Sequence, residues 1–273
     1  LRTAERLFLA GQCLLLELCM LFRRIILSAL CIGLLSGLLF SVVQYLGVSP
    51  IILAAEQYEV VEVEAAPVQS SHHGEGVSAV HHHDAEAWSP SDGLERSLFS
   101  LLSNVLAGIG FAAIALSIMC QLQLKGLIKF SPVKGLLCGL AGFVAFFAMP
   151  GIGLPPEIPG IEAAPLENRQ AWWVSTVIAS GLGIGILVFA KGSYKILGVL
   201  LMALPFLVGA PHPTGPEFGH TDERVVAILV NLHQQFIVAS GVANLIFWLA
   251  LGLLCAWGLN RTVLTDHMQK LNA

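Results

Sequence analysis

Charge is what this chain has least of. Asp, Glu, Lys and Arg make up 12% of its 273 residues, while 56% are apolar. A soluble domain carries about 25% charged residues. That deficit excludes a disordered chain, a nucleic-acid binder and an ordinary cytosolic enzyme, and a mean hydropathy of +0.78 points to a multi-span membrane protein. Catalytic signatures are missing too. The sequence has no Walker motif, no HExxH, no GxSxG and no redox CxxC. Its six cysteines sit in or beside apolar runs and read as small buried hydrophobes, not as a disulfide framework.

What the chain does have is long apolar runs, at 25–46, 98–120, 135–153, 172–190, 196–210 and 235–259. A bilayer-spanning helix needs about 17–25 such residues. Five runs reach that length. The run at 196–210 is short and carries Pro205, but 192–194 extend it. The reading is an all-α polytopic membrane protein with six transmembrane helices, five being the fallback.

Basic residues mark cytoplasmic ends. Six spans place 11 of the 14 Lys and Arg on one side, leaving Arg96, Arg169 and Arg224 opposite them with 15 of the 18 acidic residues. Dropping the run at 196–210 would move Arg261 and Lys270 across. The charge pattern therefore favours six spans with both termini cytoplasmic. It leaves three exterior loops without cysteine, at 56–96, 154–170 and 211–234, the first long and His-rich.

Residues 1–19 are too short and polar to span. They read as an amphipathic surface helix or as sequence upstream of a natural start at Met20, the latter favoured. Residues 20–260 form the membrane domain and 261–273 a cytoplasmic tail. Each odd span ends in proline and then acid (Pro50 and Glu56, Pro150 and Glu157, Pro211 and Glu217), and each exterior loop carries one Arg. That rhythm fits three helical hairpins, or else the ordinary chemistry of helix exits. Gly33-x-x-x-Gly37, Gly135-x-x-x-Gly139 and Gly181-Leu-Gly-Ile-Gly read as close helix packing. No Asp or Glu lies deep in a span, which argues against a self-contained ion-coupled pump. Asn104 and Asn244 are the polar residues nearest mid-span, where hydrogen bonding between helices is their commoner role.

Five histidines fall in one window: His72, His73, His81, His82 and His83. Imidazole is a borderline ligand suited to divalent transition metals, so the tract reads as a loose metal collector. The second exterior loop is rich in proline, which fixes φ and removes donors. It sets Glu157, Glu162 and Glu167 along a stiff path, with Arg169 expected to pair with one of them and Trp172 and Trp173 seated at the interface. Two readings stay open for this loop, an anchored interface segment and an acidic vestibule for a cation.

The strongest run is Leu154-Pro-Pro-Glu-Ile-Pro-Gly-Ile-Glu-Ala-Ala-Pro-Leu-Glu-Asn-Arg-Gln-Ala-Trp-Trp173. With Met20-Leu-Phe-Arg-Arg-Ile25, Ala55-Glu-Gln-Tyr-Glu59 and Gly209-Ala-Pro-His-Pro213, it resembles the CbtA-type predicted cobalt transporter subunits of bacteria. The resemblance covers about residues 20–260. It implies a subunit of the bacterial inner membrane, usually described with five spans, beside a small one-span His-bearing partner of the CbtB type. The leading expectation is a transition-metal uptake component for Co2+, with Ni2+ next. In it the five histidines gather metal, and Glu157, Glu162, Glu167 and His212 line the mouth. The ion is cargo, and no tightly bound cofactor is expected. The runner-up is an accessory subunit of a larger membrane complex, docking through its Pro-rich loop. An enzyme ranks third, since no nucleophile and base pair is visible. Expected partners are the lipid bilayer, the one-span subunit, and a second copy or larger complex, with no nucleic acid.

Overall fold

The computed structural model describes residues 2–65, 90–91 and 93–264, and within these the side chains of 18–58, 90–91 and 93–264. The helices are α1 (Arg2–Gly47), α2 (Ser49–Ala65), α3 (Leu94–Leu124), α4 (Pro132–Phe143), α5 (Met149–Gly153), α6 (Leu166–Phe189), α7 (Lys195–Val208) and α8 (Glu223–Gly258). Five segments are long and apolar enough to cross a membrane: Leu18–Gly47, Leu94–Leu124, Pro132–Gly153, Leu166–Phe189 and Glu223–Val263. The sixth expected span survives as a shorter apolar helix, Gly192–Val208. Helix α1 starts at Arg2 and runs without a break into the first candidate span.

Helix ends follow local chemistry. Pro50 cannot continue α1, so the chain turns at Val48 and restarts as α2, where proline is tolerated in the first turn. Ser131 caps α4 by accepting from the Lys134 N–H, and Asp222 caps α8 by accepting from the Arg224 N–H. Between α4 and α5 the chain widens into a π turn, Val144–Ala148, in which the Met149 N–H bonds to the Val144 carbonyl. The wider turn comes just before Pro150, whose ring would clash with a carbonyl four residues back in a regular α-helix. Helices extend into all three stretches expected to be loops, since α2 reaches Ala65, α6 starts at Leu166 and α8 starts at Glu223. The helix patterning could not show this, because those ends are polar.

The helices pack in close pairs through glycine. A Cβ built on Gly33 would lie 2.3 Å from the Ile109 Cα, joining α1 to α3; one on Gly139 would lie 2.2 Å from the Trp248 carbonyl oxygen, joining α4 to α8; one on Gly183 would lie 2.7 Å from the Gly198 carbonyl oxygen, joining α6 to α7. Backbones this near gain dispersion energy that lipid cannot supply. Gly181 and Gly185 meet nothing within 4 Å, so of that motif only Gly183 packs as expected. The pairing also corrects the idea of three sequential hairpins. The closest pairs are α1 with α3, α4 with α8 and α6 with α7, so only the first follows that order, although the π turn and α5 also touch α6. Surface shape decided this, and proline-acid rhythm carries no information about it.

Two apolar clusters result. One centres on Trp248, Phe247, Leu251 and Leu116, between α1, α3, α4 and α8, with Phe111 and Phe146 ring centroids 4.9 and 5.2 Å from Trp248. The other holds Val48, Ala55, Ile158, Phe218, Leu229 and Phe236 and lies beneath the Pro-rich loops. Hydrogen bonds show which helix ends lie together. Gln123 and Asn260 bond each other, and Ser28 bonds Thr262, so α3 ends and α4 begins beside the end of α8. At the opposite end, His220 meets the Tyr58 carbonyl at 3.1 Å and the loops after α5 and α7 join. Asn104 donates to Ser41 and Gln44 across the α1–α3 contact, while Asn244 donates to the Ser240 carbonyl of its own helix.

Candidate metal-binding mouth

The loop after α5 (154–165) and the loop after α7 (209–222) are far apart in sequence. They meet in an antiparallel bridge between Ile161 and Phe218, and the Glu162 N–H donates to the Glu217 carbonyl at 3.0 Å. Gly160, at φ +87°, supplies the left-handed turn that leads into the bridge. Phe218 and the neighbouring Ile158 are buried in the apolar cluster below. Side chains alternate along an extended strand, so Glu162 and Glu217 share the opposite face. Two carboxylates directly across a ladder repel each other, which makes this face a place where positive charge is stabilised.

The face opens on a cavity of about 320 Å³ lined by Glu157, Glu162, Glu217, His212 and His233, with Pro155, Pro211 and Pro213 among its walls. Glu157 is held by Arg169, which donates to it from the start of α6; their side chains are 26% and 29% exposed. The expectation that Arg169 pairs with one of the three loop glutamates is met at Glu157. Arg96, in the first turn of α3, pairs in the same way with Glu56 of α2. His233, on α8 and 8% exposed, has Nδ1 2.8 Å from Glu217 Oε1 and Nε2 3.1 Å from the Pro156 carbonyl oxygen. It therefore ties α8 to both loops.

The expected site residues divide into three groups. Glu157, Glu162 and His212 come together in the cavity. Glu167 is exposed in the first turn of α6 and lies outside that lining. His72, His73, His81, His82 and His83 lie outside the described residues. Among the described residues, no three His, Cys, Asp or Glu side chains already converge tightly enough to hold an ion. Glu217 and His233 were not named as site residues; the proline-acid rhythm touches Glu217, but nothing in the sequence brings it to His233 or Glu162, because they come from different elements and meet only through the loop bridge.

Trp172 also corrects an expectation. Its ring is packed inside the protein. It is 7% exposed and donates from Nε1 to the Pro205 carbonyl of α7 at 3.2 Å. A Cβ on Gly153 would strike its ring at 2.3 Å. That carbonyl lies in the last turn of α7, where it also accepts from the Gly209 N–H at 3.1 Å, and α7 then ends at Gly209, φ +89°, a backbone state suited to glycine. Trp173 stays 39% exposed, so of the pair only Trp173 keeps an open face.

Apolar helices that pack through glycine and expose leucine define a multi-pass membrane protein, and among the described residues Glu157, Glu162, Glu217, His212 and His233 line one cavity at one end of it. The chain matches, over residues 22–260, the family described as probable cobalt transporter subunit (CbtA), and it belongs to that family. No curated protein matches it. No solved structure matches it either.

Proposed function

We propose that this chain is the membrane subunit of a transition-metal uptake transporter of the bacterial inner membrane, carrying cobalt and, second, nickel. The observation that carries this reading is the convergence of Glu157, Glu162 and His212, from two distant loops, on one cavity in a chain of the cobalt transporter subunit family. Carboxylate and imidazole together suit borderline divalent cations. His72, His73, His81, His82 and His83 concentrate metal ahead of the mouth, and Glu167 adds negative charge beside it. Weak, successive sites suit transport, because an ion must be able to leave each one.

The proposed topology has six passes with both termini cytoplasmic and the His-rich loop outside. What supports the sixth pass is the loop bridge. Loops 154–165 and 209–222 bond each other, so α6 and α7 together must return the chain to the face from which it left. Helix α7 with its preceding 3-10 turn, Gly192–Tyr194, spans about 27 Å, close to a hydrocarbon core of about 30 Å. A one-span His-bearing subunit of the CbtB type is the proposed partner, within a homo-oligomer or larger complex. Docking through the Pro-rich loop is the weaker reading, because that loop already packs against its own chain at Phe218 and His233.

The test is cobalt accumulation in cells expressing the chain alone and with the one-span subunit. Accumulation above empty-vector cells in either case is expected. None in both would refute the proposal.

A further inference from the structure

We infer that Nδ1 of His233 and the carboxylate of Glu217 form a two-ligand site for a divalent transition-metal cation in the wall of the mouth cavity, an inference that rests on the uptake reading above. A histidine that ligates a metal through one ring nitrogen commonly donates its other N–H to a backbone carbonyl, which fixes tautomer and orientation. His233 has that arrangement. Its Nε2 faces the Pro156 carbonyl oxygen at 3.1 Å, so the tautomer protonated at Nε2 leaves Nδ1, 2.8 Å from Glu217 Oε1, with a lone pair able to ligate.

The spacing suits an ion. Two adjacent ligands held about 2.1 Å from one octahedral ion lie about 3.0 Å apart, and Nδ1 to Glu217 Oε1 is 2.8 Å. A cation bound by both atoms sits beside the line that joins them, and any proton shared in that contact leaves to water in the open cavity. Water completes the coordination, reached through the 55% exposed Glu217 side chain. Across the ladder Glu162 adds negative charge. Its carboxylate lies over Gly215, where a Cβ would come within 2.8 Å of Oε2. Carboxylates alone would accept Mg2+ or Ca2+ as readily, and the imidazole biases the site to cobalt, nickel or zinc. His233 is thus the specificity-determining residue, and its burial keeps the ring from turning away.

The experiment uses the full chain in lipid nanodiscs, with His72, His73, His81, His82, His83, His212 and His220 replaced by Ala so that the imidazoles of the three loops other than His233 are removed. Co2+ binding is measured by calorimetry with and without excess Mg2+. That background protein is expected to bind Co2+ and to keep it against Mg2+. Glu217→Gln, on a half-exposed side chain that folding tolerates, should weaken binding at least about tenfold, the lower bound for losing even an outer partner of a ligand. His233→Asn should abolish the preference over Mg2+. Co2+ binding and selectivity unchanged in both variants, or no Co2+ binding by the background protein, would overturn the site. Cellular cobalt accumulation by the unaltered chain is scored separately. If it is present while both variants bind as the background does, the site falls and the uptake reading stands. If it is absent while the background binds selectively, the uptake reading falls and the site stands.

Discussion

Replacing Arg169 with Ala should cost folded protein because of what it leaves behind. The Arg169 and Glu157 side chains are 29% and 26% exposed, so the pair is neither a surface pair nor a fully buried one. Exposed pairs contribute about 0–1 kcal/mol, and breaking a buried pair costs about 3–5 kcal/mol. A charge-assisted hydrogen bond between these limits contributes about 1.5–3 kcal/mol. Taking about 2 kcal/mol, the ratio of folded to unfolded protein drops about 30-fold, and the melting midpoint falls by roughly 4–8 °C for a chain of this size. The assay is the fraction of detergent-solubilised protein that stays monodisperse on size-exclusion chromatography after stepwise heating. The double variant Arg169→Ala with Glu157→Gln should recover much of the loss, since it no longer strands a carboxylate. Glu157→Gln alone should also destabilise, since it takes from Arg169 the carboxylate it pairs with. A melting midpoint for Arg169→Ala equal to the parent, or a double variant no better than the single, would refute the reasoning.

Glu162→Gln should reduce divalent-metal uptake at unchanged folded yield, because Glu162 is exposed and bonds its partner strand through the backbone; quantitative blotting beside uptake checks it. Replacing His72, His73, His81, His82 and His83 with Ala should slow uptake at scarce metal and matter little at abundant metal, read from the dependence of uptake rate on metal concentration. Gly139→Ala should destabilise by about 1–3 kcal/mol, since its Cβ would lie 2.2 Å from the Trp248 carbonyl oxygen, an atom fixed in a helix; thermal chromatography reads it. Cysteines placed at Ser193 and Thr221 should label from opposite sides of the membrane, and labelling of the first from outside intact cells would overturn the six-pass topology.

The membrane class, most helix positions and the acid-rich mouth end were legible in the sequence, because hydropathy, glycine spacing and charge bias are local quantities that a bilayer reads one segment at a time. Glu157, Glu162 and His212 could be named for the same reason: their residue types sit in conspicuous Pro-rich runs. Helix partners could not. Whether Gly135 and Gly139 face α8 or a sequential neighbour depends on which surfaces fit when six apolar helices compete, and every one of them satisfies hydropathy equally well. Trp172 looked interfacial because its type and position fit a belt, yet it packs inward and donates to a last-turn carbonyl of α7. Glu217 and His233 became neighbours of Glu162 only when two loops about fifty residues apart paired through Ile161 and Phe218 above a shared apolar cluster. That contact between distant segments is a property of the packed molecule, since no single stretch of chain contains both of its halves.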